Sequence, residues 1–306
     1  MFWLFFPLVS SFCSSLSSFF DNYLVDVHCR KLNAMCLMSI YAVLDLIICA
    51  VLLIWKWDVI TSSGIGWDIL SVFLMAALIS FMGNIPYYKA LKKDDTTDVA
   101  LLSQVTPVIA LVLGIAFLNE TISLVQLASF LLILCATLFI ILSFGKKRIK
   151  LGLKVSMLVI AACFFWVLSD IMFVIQAREL DFAVCFFWLM LCGVVVRAGA
   201  LLVMKSWRRE MKKFLKKNRF KKISALVTNE AIWLVGTIAW RYGIVIMPIA
   251  MMSVVKNVSQ LIITFVMGII LTAIWPKFGR EKISKKVVIN HAVATGILVV
   301  AIVMIS

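Results

Sequence analysis

The stretch DVALLSQVTPVIALVLGIAFL at 98–118, then Asn119-Glu120-Thr121, then ISLVQLASFLLILCATLFIILSF at 122–144, decides the fold. Each apolar block has the length that a bilayer demands: roughly 20 residues at about 1.5 Å apiece cross a hydrocarbon core of about 30 Å. Period-2 alternation is absent, so the blocks are not strands of an outer-membrane barrel. Lipid then leaves only helices, because each backbone N–H and C=O must find its partner within the segment.

Eight further blocks of the same kind flank this pair, at 1–20, 35–55, 67–88, 152–176, 181–204, 223–243, 248–275 and 287–305. The chain is 64% hydrophobic with a mean hydropathy of +1.09, against about 45–50% apolar residues in a soluble domain. The expected fold is therefore all-α and integral to the membrane, with ten transmembrane helices. The first block lacks a positive n-region and runs into Asp21-Asn22-Tyr23 without a small-residue cleavage site, so it reads as a retained helix. The eight cysteines form no CxxC pair and mostly lie inside apolar blocks, as small core residues. With only His28 and His291 present, a histidine-rich metal site is excluded, and no metal or cofactor is expected.

The net charge of +15 is a topology signal. Odd-numbered loops hold 24 Lys and Arg; the even loops and their edges hold three, Lys56, Arg178 and Arg241. By the positive-inside rule the odd loops are cytoplasmic and both termini face outward. The longest basic loop, 205–222, places Trp207, Met211, Phe214 and Leu215 at i, i+4, i+7, i+8, an apolar stripe suited to the membrane surface. A cytoplasmic loop needs no further reason to be basic, so no nucleic-acid partner is expected. The expected partners are a small-molecule solute and the lipid bilayer of the plasma or inner membrane, with the chain a monomer or homodimer.

The chain also repeats. Ala100-Leu-Leu-Ser103 aligns with Ala250-Met-Met-Ser253, and Ser18-Phe-Phe-Asp21 with Val167-Leu-Ser-Asp170, at offsets of 150 and 149. Asn119-Glu-Thr-Ile-Ser123 aligns with Arg280-Glu-Lys-Ile-Ser284 after an insertion. The division is 1–144 and 151–306, five helices each, and an odd number inverts one copy against the other. Inverted repeats place a transporter's solute site at their interface.

The run Tyr88-Lys-Ala-Leu-Lys-Lys93 to Pro107, with Glu120, Ile122, Ser123 and Gln126, resembles the end of the EamA repeat of the drug/metabolite transporter superfamily. In the second half Glu281 and Gly296 match, while Asn257 stands where the family has proline. The resemblance implies secondary transport through a central cavity lined by helices 1–4 and 6–9. It also implies cytoplasmic termini, opposite to the charge count, which is kept here.

Polar groups in the apolar blocks are the candidate site, because ionisable groups in a bilayer are costly and default to function. Segment 9 carries Ser253, Lys256, Asn257 and Gln260 on one face; segment 8 carries Glu230, Trp233, Thr237 and Arg241 on one face. Glu230 and Lys256 each lie about eight residues in, roughly 12 Å, and are expected to pair or to share solute and proton between them. Asn84 and Tyr87 or Tyr88 on segment 3, Gln104 beside Pro107 on segment 4, and Trp166 on segment 6 complete the expected solute-binding set; Trp240 adds an aromatic. Asp170, Asp21 and Asp45 are the gating or coupling candidates, and a mid-helix Asp45 without a partner would be protonated. The bland readings are a structural ion pair for Glu230 and Lys256, a packing bend at Pro107, a snorkelling Arg197, and helix-terminus charge for Glu120 and Glu281. Asp94-Asp95-Thr-Thr-Asp98 spells DDxxD, which suits Mg²⁺ and a diphosphate. A membrane-embedded lipid or prenyl-diphosphate enzyme is thus the alternative, although the equivalent loop at 245–249 has no second aspartate-rich motif. The bland reading is Asp98 capping a helix.

Overall fold

The computed structural model describes residues 2–23, 34–91, 99, 102–143, 153–205, 207–209, 212, 219–274 and 296. No strand occurs among them. The helices are α1 (Phe5–Tyr23), α2 (Ala34–Trp55), α3 (Trp57–Ser62), α4 (Trp67–Leu91), α5 (Thr106–Leu118), α6 (Leu124–Ser143), α7 (Leu153–Ala177), α8 (Phe182–Val203), α9 (Arg219–Ile246) and α10 (Ile249–Ile274). All but the short α3 coincide with nine of the expected segments. The tenth, 287–305, lies outside the described residues, as does most of loop 205–222.

Four helices are long and apolar enough to cross a membrane, over Trp67–Ala90, Lys154–Ala177, Phe182–Val203 and Ile249–Leu271; three shorter apolar stretches are Phe5–Phe20, Tyr41–Trp55 and Ser103–Leu118. Their outer faces carry well-exposed apolar side chains such as Ile54, Trp67, Val112 and Val203. In water such patches would be a liability, whereas lipid chains solvate them. The chain is accordingly a multi-pass membrane protein.

Pro86 lies inside α4, which continues to Leu91. A 3₁₀ turn at Ser103–Val105 precedes α5, and Pro107 sits in the first turn, where a missing N–H forfeits no intrahelical bond. Helix ends follow local chemistry. Asp181 Oδ1 accepts from Ala183 N at 2.8 Å and caps α8. Ser123 and Gln126 form a reciprocal capping box at the start of α6, with Ser123 N donating to Gln126 Oε1 at 3.0 Å and Gln126 N to Ser123 Oγ at 3.2 Å. At the end of α5 Asn119 takes the left-handed conformation, φ 51°, and both its N–H and that of Glu120 turn back to Gly114 O.

The chain forms two compact units. The first comprises 1–19, 90–160 and 232–306; α10 packs there on α5 and α6, burying Ile244, Ile249, Met251 and Met252. The second comprises 20–89 and 161–231; α2 packs there on α8, and Phe73, Ile171, Phe173, Phe186 and Leu226 are fully buried. Each unit draws helices from both halves of the chain, so the spatial division and the sequence repeat are separate facts.

Candidate functional site

In the second unit three nominated residues come together. Trp166 Nε1 on α7 donates to Asn84 Oδ1 on α4 at 3.1 Å. The Tyr87 ring lies 5.0 Å from Trp166 and 5.4 Å from Tyr88, with interplanar angles of 59° and 66°. Gly83 makes the approach of α7 possible: a Cβ there would stand 3.0 Å from Trp166 Cδ1 and 3.1 Å from Phe165 Cβ. Asp170 follows Trp166 by one turn and is buried. Asn84, Tyr87, Tyr88 and Trp166 are each half-buried.

The same unit answers the question posed by Asp45. Its carboxylate is fully buried, and Arg197 Nη1 on α8 lies 2.5 Å from Oδ2. Asp45 is thus not the unpartnered acid expected from its mid-helix position, and Arg197 does not snorkel. Gly193, one turn before Arg197, leaves space for the guanidinium, since a Cβ there would stand 3.2 Å from Nη2. The ionic partners sit 152 residues apart in sequence. Also in this unit Cys49 Sγ on α2 approaches Phe187 O on α8 at 3.9 Å, and Asn229 Nδ2 on α9 donates to Tyr41 Oη on α2 at 3.3 Å.

In the first unit Lys256, Asn257 and Gln260 lie on α10. The Lys256 ammonium sits 4.5 Å from the centre of the Trp240 ring, a distance at which the ring quadrupole attracts a cation. Asn257 Nδ2 turns to its own helix, donating to Ser253 O at 2.9 Å. Serines of α1, which sequence reading passed over, hold the backbone of this face. Ser11 Oγ lies 2.7 Å from Lys256 O and 2.6 Å from Pro7 O, its one proton shared between them. Ser15 Oγ donates to Gln260 O at 3.2 Å and accepts from Thr264 Oγ1 at 2.9 Å. The signal was there: hydroxyls at 10, 11, 14, 15, 17 and 18 in an apolar block are the small residues that let membrane helices approach closely.

The remaining candidates are placed as follows. Gln104 is buried in the 3₁₀ turn of the first unit. Glu230 is buried in the second unit, whereas Trp233 in the first is 39% exposed. The Asp21 side chain, Asp94, Asp95, Asp98 and Glu281 lie outside the described residues. Glu120 does carry helix-terminus chemistry, yet for a distant helix: Ile249 N, the first amide of α10, donates to Glu120 Oε1 and Oε2 at 3.1 Å each.

Residues 1–142 match the EamA-like transporter family. The matching positions are mostly helix punctuation: Pro107 opens α5, Glu120 caps α10, and Ser123 with Gln126 boxes the start of α6. The EamA signature therefore identifies a fold and not a solute. A solved crystal structure superposes with a TM-score of 0.64 over 97% of both chains at 13% identity, a likeness of fold alone. No curated protein matches the chain.

Proposed function

We propose that this chain is a secondary transporter of a small organic solute, working by alternating access between two inverted five-helix repeats, 1–144 and 151–306, in the cell membrane. The observation that carries the reading is the convergence of Asn84, Tyr87 and Trp166 within helices otherwise built for lipid. An EamA-like sequence over 1–142 supplies the class of protein. Polar side chains in a bilayer cost free energy, and a solute that must shed water needs such groups to replace it. Lys256, Asn257, Gln260, Trp233 and Gln104 of the first unit, and separately Glu230 of the second, are further residues we assign to solute binding, the Lys256 ammonium being suited to a carboxylate or phosphate. Asp21, Asp45 and Asp170 gate or couple. The basic loop 205–222 is assigned to the cytoplasm on its ten Lys and Arg.

A thermal-shift screen of metabolites on the purified protein tests the reading. A true solute stabilises the folded state by about 2.7 kcal/mol at a hundred times its Kd. The stabilisation should vanish in Trp166→Leu or Lys256→Met, with the solute recovered chemically unchanged. Conversion of a lipid or prenyl diphosphate, lost in Asp94→Asn, would replace the transporter reading with the enzyme reading.

A further inference from the structure

We infer that the face formed by Lys205, Arg208, Arg209 and Lys212 is a docking surface for the phosphate headgroups of anionic phospholipids. Nothing in this surface depends on which solute the protein carries. Its spacing is the first ground. Positions 205, 208, 209 and 212 stand at i, i+3, i+4 and i+7, which in a helix is one face. Lys205, Trp207, Arg208, Arg209 and Lys212 are all helical, and Arg208 N donates to Met204 O at 3.3 Å, so the spacing is realised. The four basic side chains are exposed, whereas Trp207, which the helical period sets on the opposite side, is half-buried. The positive-inside rule asks only how many Lys and Arg a loop holds. It does not ask that they share one face and leave an aromatic on the other.

The second ground is position. The 22 residues of α8 are, at about 1.5 Å each, as long as a hydrocarbon core of about 30 Å. The last turn of α8 carries Leu202 and Val203, 69% and 80% exposed, as side chains facing lipid would be. The basic face therefore starts where the hydrocarbon stops, in the headgroup layer. A straight continuation of α8 would carry residues 205–212 away from the bilayer. Instead Met204 is extended, φ −93° and ψ 97°, and closes α8 by donating its N–H to Ala200 O at 3.0 Å. The next turn begins afresh from Met204 O and is not bound to the axis of α8.

The third ground is the chemistry of the partner. Among the described residues no carboxylate pairs with any of the four, and none of them makes a side-chain hydrogen bond. The one acidic residue of 205–222 is Glu210, against ten Lys and Arg. Arg208 and Arg209 are adjacent guanidinium forks, the geometry that takes a phosphate through two parallel bonds. A soluble anion would satisfy the same charges. The exposed Leu202 and Val203 and the half-buried Trp207 beside them, however, call for hydrocarbon at the same place, and an anionic phospholipid supplies both phosphate and hydrocarbon. With loop 205–222 assigned to the cytoplasm, the leaflet it meets is the anionic one.

Full-length protein in phosphatidylcholine liposomes is given a trace of spin-labelled phosphatidylglycerol or spin-labelled phosphatidylcholine, and electron paramagnetic resonance measures the fraction of each lipid immobilised on the protein. Phosphatidylglycerol should be preferred roughly fivefold at low salt, the weight of about one fully engaged charge. The preference should collapse at about 1 M salt, where charges reach only about 3 Å. Lys205→Gln, Arg208→Gln, Arg209→Gln and Lys212→Gln together should at least halve it. Trp207→Arg with Arg208→Trp keeps the composition and the net charge, and with them the topology signal, but breaks the face; it should remove about a third of the preference. This permuted variant keeps the test decisive if the neutralised one inserts poorly. Parity of the two lipids on the wild type overturns the proposal, as does a preference unchanged in the neutralised variant, or unchanged in the permuted one, where net charge alone would then be at work. Binding of inorganic phosphate by the same four residues, with no preference between the lipids, also overturns it, since that anion needs no bilayer.

Discussion

Removing the Glu120 carboxylate should loosen the start of a helix that is 129 residues away in the chain. The helix α10 begins after Pro248, which has no side-chain cap to offer, so the first amide of α10 must find an acceptor elsewhere. Glu120 supplies it through both oxygens at 3.1 Å. Loss of an N-cap costs about 1–2 kcal/mol, and a hydrogen bond to a charged group contributes about 1.5–3 kcal/mol. Glu120→Ala should therefore cost roughly 2–3 kcal/mol, and Glu120→Gln, which keeps an acceptor but loses the charge facing the helix dipole, roughly 1 kcal/mol. Gly114→Ala should strike the same contact, because its Cβ would stand 2.8 Å from Glu120 Oε2 and 3.0 Å from Ile249 Cγ2. The two changes should then be less than additive in a double-mutant cycle. The assay is denaturant unfolding in nanodiscs together with amide exchange at Ile249 and its successors. Wild-type stability in Glu120→Ala, with unchanged protection at Ile249, would refute the argument.

Asp45→Asn or Arg197→Met should each destabilise the second unit by about 3–5 kcal/mol, and Asp45→Leu combined with Arg197→Met should recover most of it, because only the single changes strand a buried charge; unfolding of all three variants decides, and a double mutant as unstable as the sum of the singles would contradict the pairing. Lys256→Met should abolish transport while the protein stays folded and inserted, and Glu230→Gln should alter the pH dependence of transport without abolishing it; full transport in the double mutant would remove both residues from the site. A cysteine at Ser206 should react with an impermeant thiol reagent only after cells are permeabilised, and equal labelling of intact cells would reverse the topology.

Much of the helical framework was legible because lipid allows so few solutions: an apolar block of bilayer length must be helix, and nine of the expected segments are. The Ser123–Gln126 box was legible too, since its spacing is local. The Asp45–Arg197 pair was not. Each residue announced itself as a charge in an apolar block, yet their meeting depends on the register of α2 against α8, which no local spacing encodes. Glu120 misled for the same reason, its acceptor role being set by α10; the readable clue was Pro248, which leaves that helix without a cap of its own. The serines of α1 were passed over because a hydroxyl reads as neutral until a carbonyl such as that of Lys256 comes within 2.7 Å. Asn84, Tyr87 and Trp166 were nominated one helix at a time, and their convergence came only with the packing of α7 on α4 at Gly83.

The central claim is movement of a solute without chemical change. The purified protein is reconstituted into liposomes preloaded with a defined mixture of unlabelled amino acids, amines, nucleotides and sugars, and uptake of each labelled counterpart is followed. The account predicts transient accumulation of at least one of them above its equilibrium level, absent from protein-free vesicles, abolished by Lys256→Met and reduced by Trp166→Leu. Folded, correctly inserted protein that exchanges none of these solutes, or exchanges them equally well in both variants, would contradict it.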